Sequence, residues 1–207
     1  MKVFKRFFIV IILLLLYLFF SIFSYASTVS NNLENNIFRL HILANSDSNE
    51  DQSLKLKVRD NIISYLEEKC DNCKSKDDFI NITSLNLENL KNIAENTIAE
   101  YDFNYSVKIE IGNFYFPTKH YGNISLPAGY YDGLKIKIGK AEGQNWWCSL
   151  FPPLCFTDVS SGIIDEESEK DLKDNVSNEE FSVISSSNTV YKIKFKLIEF
   201  LNKKNIL

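Results

Sequence analysis

Histidine is scarce in this chain, with His41 and His120 alone, and cysteine is limited to Cys70, Cys73, Cys148 and Cys155. The Cys70-Asp71-Asn72-Cys73 stretch has the look of half a zinc site or of a redox motif. No second pair at zinc spacing and no neighbouring histidine completes a tetrahedral set, so no metal is expected. The seven glycines form no glycine-rich phosphate cradle, and no segment repeats, which removes nucleotide loops and solenoids from consideration. Neither a cofactor nor a small-molecule substrate is expected. Cations are outnumbered, giving a formal net charge of -4. Phosphate binding needs a basic face, so nucleic acid is not an expected partner.

The cations that are present begin at the N-terminus. Lys2, Lys5 and Arg6 precede an unbroken apolar run from Phe7 to Phe20, then Ser21-Ile22-Phe23-Ser24-Tyr25-Ala26-Ser27. A basic, apolar, small-residue order is that of an export signal, and Ser24 and Ala26 stand two apart as small residues do before a signal peptidase cut. Cleavage after Ala26 is the expectation, leaving a chain whose charge moves from -4 to -7 because the three removed charges are all positive. An uncleaved anchor is the alternative, since the run extended to Phe23 reaches 17 residues, the lower end of what spans a bilayer. In either case the positive flank stays cytoplasmic.

Phe38, Leu40, Ile42 and Ala44 alternate with Arg39, His41 and Leu43, the period of a strand. Asn45-Ser46-Asp47-Ser48 follows, and Ser48 with Asp51 has the form of a capping box opening a helix over residues 50–69, marked by Leu54, Val58, Ile62 and Leu66. A second helix is marked by Leu87, Leu90, Ala94, Ile98 and Tyr101. Tyr105, Val107, Ile109 and Ile111 read as a strand ending near Gly112-Asn113, and Leu134, Ile136 and Ile138 as another. The Gly139–Gly143 loop then turns back into Asn145–Phe151, which suggests a hairpin arm, and residues 113–130 suggest a small projecting lobe. The resulting expectation is one α+β domain with two helices on one face of a mixed, mainly antiparallel sheet, an N-terminal signal or anchor helix and a C-terminal helix. Its divisions are residues 1–26 as signal or anchor, 27–36 as linker, 37–160 as the α+β domain, 161–188 as an acidic, poorly ordered tract, and 189–207 as an amphipathic segment.

Gly143-Gln144-Asn145-Trp146-Trp147-Cys148-Ser149-Leu150-Phe151-Pro152-Pro153-Leu154-Cys155-Phe156 concentrates both tryptophans, half the cysteines and half the prolines. Together with Arg39-Leu40-His41-Ile42-Leu43-Ala44-Asn45-Ser46-Asp47-Ser48, Asp51 to Asp60, and Phe114-Tyr115-Phe116-Pro117-Thr118-Lys119-His120-Tyr121-Gly122, it resembles the stage II sporulation protein R family. The resemblance implies a protein exported from the forespore into the space facing the mother cell. There it would trigger a membrane-embedded peptidase that processes an inactive sigma-factor precursor, pro-sigma-E, without being an enzyme itself.

From the residues alone, local cysteine pairing, Cys70 with Cys73 and Cys148 with Cys155, is the simplest arrangement in an exported chain, while a reducing compartment would leave four thiols. A catalytic set would need Cys148 with His120 or His41 and Asn145 or Asp47, giving a secreted thiol hydrolase; an envelope structural protein is a further alternative. Asp47, Glu50 and Asp51 are accounted for by helix capping, and Lys55, Lys57 and Arg59 by solvent. Candidate partner-binding residues are Arg39, Asp47, Phe114, Tyr115, Phe116, Tyr121, Trp146 and Trp147, with Tyr130 and Tyr131 in the same aromatic group. In an extended arm the two tryptophans point to opposite faces, one to the core and one outward. Asn81, Asn123 and Asn175 stand in short glycosylation-like contexts to which no role is assigned.

Overall fold

The computed structural model describes residues 2–155, 164 and 166–185. It opens with α1 (Lys2–Asn36), whose stretch from Phe4 is long and apolar enough to cross a membrane, a description that a signal sequence also meets. The helix does not stop at the expected linker. Val29, Leu33 and Ile37 recur at four-residue spacing and are buried, so residues 27–36 continue the helix and join the domain core.

β1 (Phe38–Leu43) follows at once, then α2 (Asn49–Cys70), α3 (Lys76–Leu85) and α4 (Leu87–Glu100). Ser48 caps α2 as expected, its hydroxyl accepting from the Asp51 N–H at 3.1 Å. The Asp51 carboxylate does not reach back to Ser48. It accepts instead from Asn45 Nδ2 at 2.8 Å and Ser46 Oγ at 2.5 Å, tying the β1 exit to the helix start. α3 has no counterpart among the expected helices. It is capped by Ser75, whose hydroxyl accepts from Asp78 N, and it buries Phe79 and Thr83.

β2 (Val107–Phe116), β3 (Lys119–Tyr121), β4 (Ile124–Leu126), β5 (Gly129–Ile138) and β6 (Asn145–Phe151) complete the strands. The main sheet has the order β2-β5-β1-β6, with β1 parallel to β5 and the other two pairings antiparallel. It is mixed and mainly antiparallel, as expected. β5 and β6 do not form a hairpin, however, because β1 lies between them. The loop joining them crosses the end of β1, with Gly143 N donating to Ala44 O at 3.0 Å and Gln144 N to Asp47 Oδ1 at 2.7 Å. A Cβ at Gly143 would overlap the Ser46 carbonyl, so this crossing needs glycine.

Leu40 and Ile42 of β1, Leu134 and Ile136 of β5, Val58, Ile62 and Leu66 of α2, and Leu90, Ala94 and Ile98 of α4 are all nearly or fully buried. Each such aliphatic side chain removed from water contributes on the order of 1.5–3 kcal/mol, which places the main stabilisation between the sheet and these two helices. β3 and β4 pair as a separate two-stranded sheet in which Ile124 and Leu126 are fully buried; the expected projecting lobe is thus packed down. Part of the acidic tract is also ordered: α5 (Glu166–Asn175) and α6 (Asn178–Ser185) bury Leu172, Val183 and Ile184. Charges dominate that stretch in number, but apolar residues at helical spacing suffice to dock it. The expected C-terminal helix lies outside the described residues.

Candidate functional site

Successive residues of a strand point to opposite faces, so while Phe38, Leu40 and Ile42 meet the helices, Arg39 and His41 point the other way. The register adds Ser149 and Trp147 from β6, Tyr131, Gly133, Lys135 and Lys137 from β5, and Phe116, Phe114, Glu110 and Lys108 from β2. Gly133 stands opposite Arg39. A Cβ there would come within 3.0 Å of the Phe116 ring and 2.9 Å of the Arg39 carbonyl, so its absence lets Phe116 lie against the sheet.

Arg39 is the largest fully buried side chain, at 0% exposure. Its guanidinium lies over the rings of Phe116 at 4.5 Å and Tyr131 at 4.9 Å. Nη2 donates to Tyr121 Oη at 3.3 Å, and that hydroxyl donates to the Trp147 carbonyl at 3.3 Å. Among the described residues, Nε and Nη1 have no hydrogen-bond partner.

His41 stacks on Trp147 with ring centroids 3.6 Å apart and an interplanar angle of 16°. Nε2 is 2.7 Å from Asn145 Oδ1. Burial lowers its pKa to about 4; the Asn145 hydrogen bond opposes this, and the charges of Lys135 and Lys137 add to it. The ring is therefore neutral at pH 7, and with Asn145 accepting, Nε2 carries the proton. Trp147 also meets Phe116 edge-on at 5.1 Å, and Lys135 Nζ lies 3.5 Å from the centre of the Phe114 ring. Burial lowers the Lys135 pKa, as do the charges of Lys137 and Lys108, with Glu110 acting against them. Glu110 pairs with Lys108 and with Lys137, each at 3.2 Å. This half of the face is aromatic and net positive on an acidic chain, and Trp147, Phe114, Lys135 and Lys137 remain partly exposed.

The structure thus gathers Arg39, Phe114, Phe116, Tyr121 and Trp147 and leaves three other candidates elsewhere. Trp146 is on the helix side, beneath the Arg59 guanidinium at 4.2 Å. Asp47 holds the Gln144 N–H. Tyr115 lies edge-on to Tyr130 at 5.6 Å, on the opposite surface of β2 from Phe114. Lys55 and Arg59 are not simply solvated: Lys55 is buried with Nζ donating to Gln144 O at 3.0 Å, and Arg59 covers Trp146. Lys135 and Lys137, to which the sequence assigned no role, are the overlooked members of the face. Their signal was the alternation itself, which put them in phase with Arg39 and His41.

No thiol catalytic set assembles among the described residues. Cys148 and Cys155 form a disulfide. Cys148 pairs in register with Leu40, which turns it away from His41, and His120 Nδ1 is 2.8 Å from Ser125 Oγ instead. Cys70 and Cys73 are free thiols rather than a second disulfide, in contact with each other. Burial, then the hydrogen bond and charge of Cys73, push the Cys70 thiol up to about 12, so it stays protonated and a poor nucleophile. No group of three or more metal-ligating side chains occurs among the described residues. Ser24 and Ala26 lie within α1.

The chain is thus an α+β domain led by an apolar helix, with an aromatic and cationic face on its main sheet. Residues 34–161 match the model of the family described as stage II sporulation protein R, and the chain belongs to that family. It is 40% identical over 131 residues to "Stage II sporulation protein R" of Bacillus subtilis (strain 168), a match covering 63% of this chain and 58% of that protein. The matched region therefore spans little more than half the length of the curated relative. No solved structure matches the chain.

Proposed function

We propose that this chain is an exported sporulation signal that binds and activates a membrane-embedded peptidase of the adjacent mother-cell membrane, leading to processing of pro-sigma-E. The supporting observation is convergence: four of the eight residues picked out from sequence for partner contact lie on one sheet face, with Tyr121 of β3 packed against it, inside the region that matches the family. Partly exposed Trp147 and Phe114 supply anchors of the kind that dominate binding energy, and Lys135 and Lys137 suit an acidic extracytoplasmic surface of the peptidase. The protein contributes no catalytic group; it acts by binding the active form of the peptidase better than the inactive one.

The test reconstitutes the peptidase with its precursor substrate in vesicles and adds the full chain to the opposite side. Wild type should raise cleavage, and Trp147→Ala should lower the potency by about tenfold or more, since a buried aromatic anchor contributes about 2 kcal/mol or more. A Lys135→Glu, Lys137→Glu double variant should slow association, most at low salt. No rise in cleavage with the wild type would sink the reading.

A further inference from the structure

The guanidinium of Arg39 is a full charge at 0% exposure, yet no carboxylate pairs with it among the described residues. An arginine carries five N–H donors, and among the described residues one bond is made, from Nη2 to the neutral Tyr121 Oη. Two ring faces give some compensation. A buried ion still costs several kcal/mol to desolvate, and an apolar residue of similar shape would be as stable or more so. The fold alone does not explain this residue.

Its surroundings point to an anion. Lys119 lies on β3 close enough that, after burial, the Arg39 charge lowers its pKa, so a second cation stands near the guanidinium. Arg39 is covered from one side by Tyr121 of the short β3–β4 pair, which turns at Gly122 with φ of 53°. Tyr121 is thus both the hydrogen-bond partner of Arg39 and part of its cover.

We propose that Arg39, with Lys119 beside it, is a carboxylate receptor beneath the β3–β4 pair, and that a carboxylate of a partner polypeptide enters by displacing the Tyr121 hydroxyl. The acid accepts from Nε and the Nη groups, converting an uncompensated buried charge into a paired one. Before binding, Tyr121 keeps the site closed. The identity of the polypeptide rests on the docking face proposed above; the receptor itself does not, and the experiment contains no partner, so its failure leaves the docking reading intact.

Trp147, whose carbonyl accepts from Tyr121, is the reporter, made the sole tryptophan by Trp146→Phe in the full chain held in detergent. The probes are acetate and the peptide acetyl-Ala-Glu-Ala-amide, with acetyl-Ala-Gln-Ala-amide as control, all at constant ionic strength. A saturable fluorescence change is expected with both acids and not with the control. Tighter binding of the peptide than of acetate marks a polypeptide source, and equal binding a small anion. Arg39→Met should fold, with an unfolding midpoint at or above wild type, and should weaken the response by about tenfold or more. Tyr121→Phe frees a donor and loosens the cover, so it should bind several times more tightly. The proposal is overturned if neither wild type nor Tyr121→Phe responds, if the glutamine peptide responds equally, or if Arg39→Met responds as wild type does.

Discussion

Replacing His41 with phenylalanine removes the titrating ring but keeps a flat side chain against Trp147, which isolates one electrostatic contribution to stability. In the folded chain the imidazole titrates at about 4 rather than 6.5, because burial disfavours its charged form and Lys135 and Lys137 reinforce this against the Asn145 hydrogen bond. Each pKa unit corresponds to about 1.4 kcal/mol, so the difference amounts to about 3 kcal/mol. The sign follows from which state holds the proton. Above pH 6.5 neither state is protonated and the contribution is complete; as pH falls from 6.5 towards 4 the unfolded chain takes up a proton that the folded one refuses, and stability is lost. Urea unfolding of the full chain in detergent, followed by circular dichroism at about pH 7 and about pH 4, measures this. Wild type should lose about 3 kcal/mol more than His41→Phe over that interval, since contributions of the carboxylates are common to both and cancel. Equal losses, or a His41 proton resonance that titrates near 6.5, would refute the argument.

Leu33→Ala should cost about 2–5 kcal/mol, because Leu33 is fully buried where α1 meets the domain, whereas Leu85→Ala at an 85% exposed position should stay within about 0.5 kcal/mol; paired urea curves separate the two. Replacing Cys148 and Cys155 together by alanine should lower stability by about 2–3 kcal/mol, given the short loop of sequence separation 7 that they close, and should abolish any effect of reductant on the unfolding midpoint.

The elements with strong periods were legible in the sequence. The alternation of Phe38 to Ala44 and of Leu134 to Ile138, and the four-residue stripe Leu54, Val58, Ile62 and Leu66, each appear as the strand or helix they suggest. Elements with thin apolar stripes were not. α3 offers Phe79 and little else to the core, and α5 is so acidic that Leu172 is easily discounted. Residues 27–36 follow a segment whose composition announces export, which draws attention away from Val29 and Leu33 as core positions. The placement of β6 beside β1 is a long-range choice that no local turn encodes: Gly143 serves a crossing over β1 as readily as a hairpin. At the site, the aromatic residues stood out by type, but Arg39 could be located at the centre of the face only once the rings of Phe116 and Tyr131 and the hydroxyl of Tyr121 were seen to surround it.

Between the apolar part of α1 and the first strand there is no slack: the helix reaches Asn36 and a single residue, Ile37, precedes β1. Ten helical residues beyond Ala26 correspond to a rod of about 15 Å. A chain left uncut would therefore carry its domain as a rigid bracket, with standoff and compass bearing relative to the lipid already set, able to reach only what faces it. Severing at Ala26 would turn the same rod into a passive strut and release the domain from the lipid. One peptide bond would thus separate a domain held at fixed range from one free to diffuse.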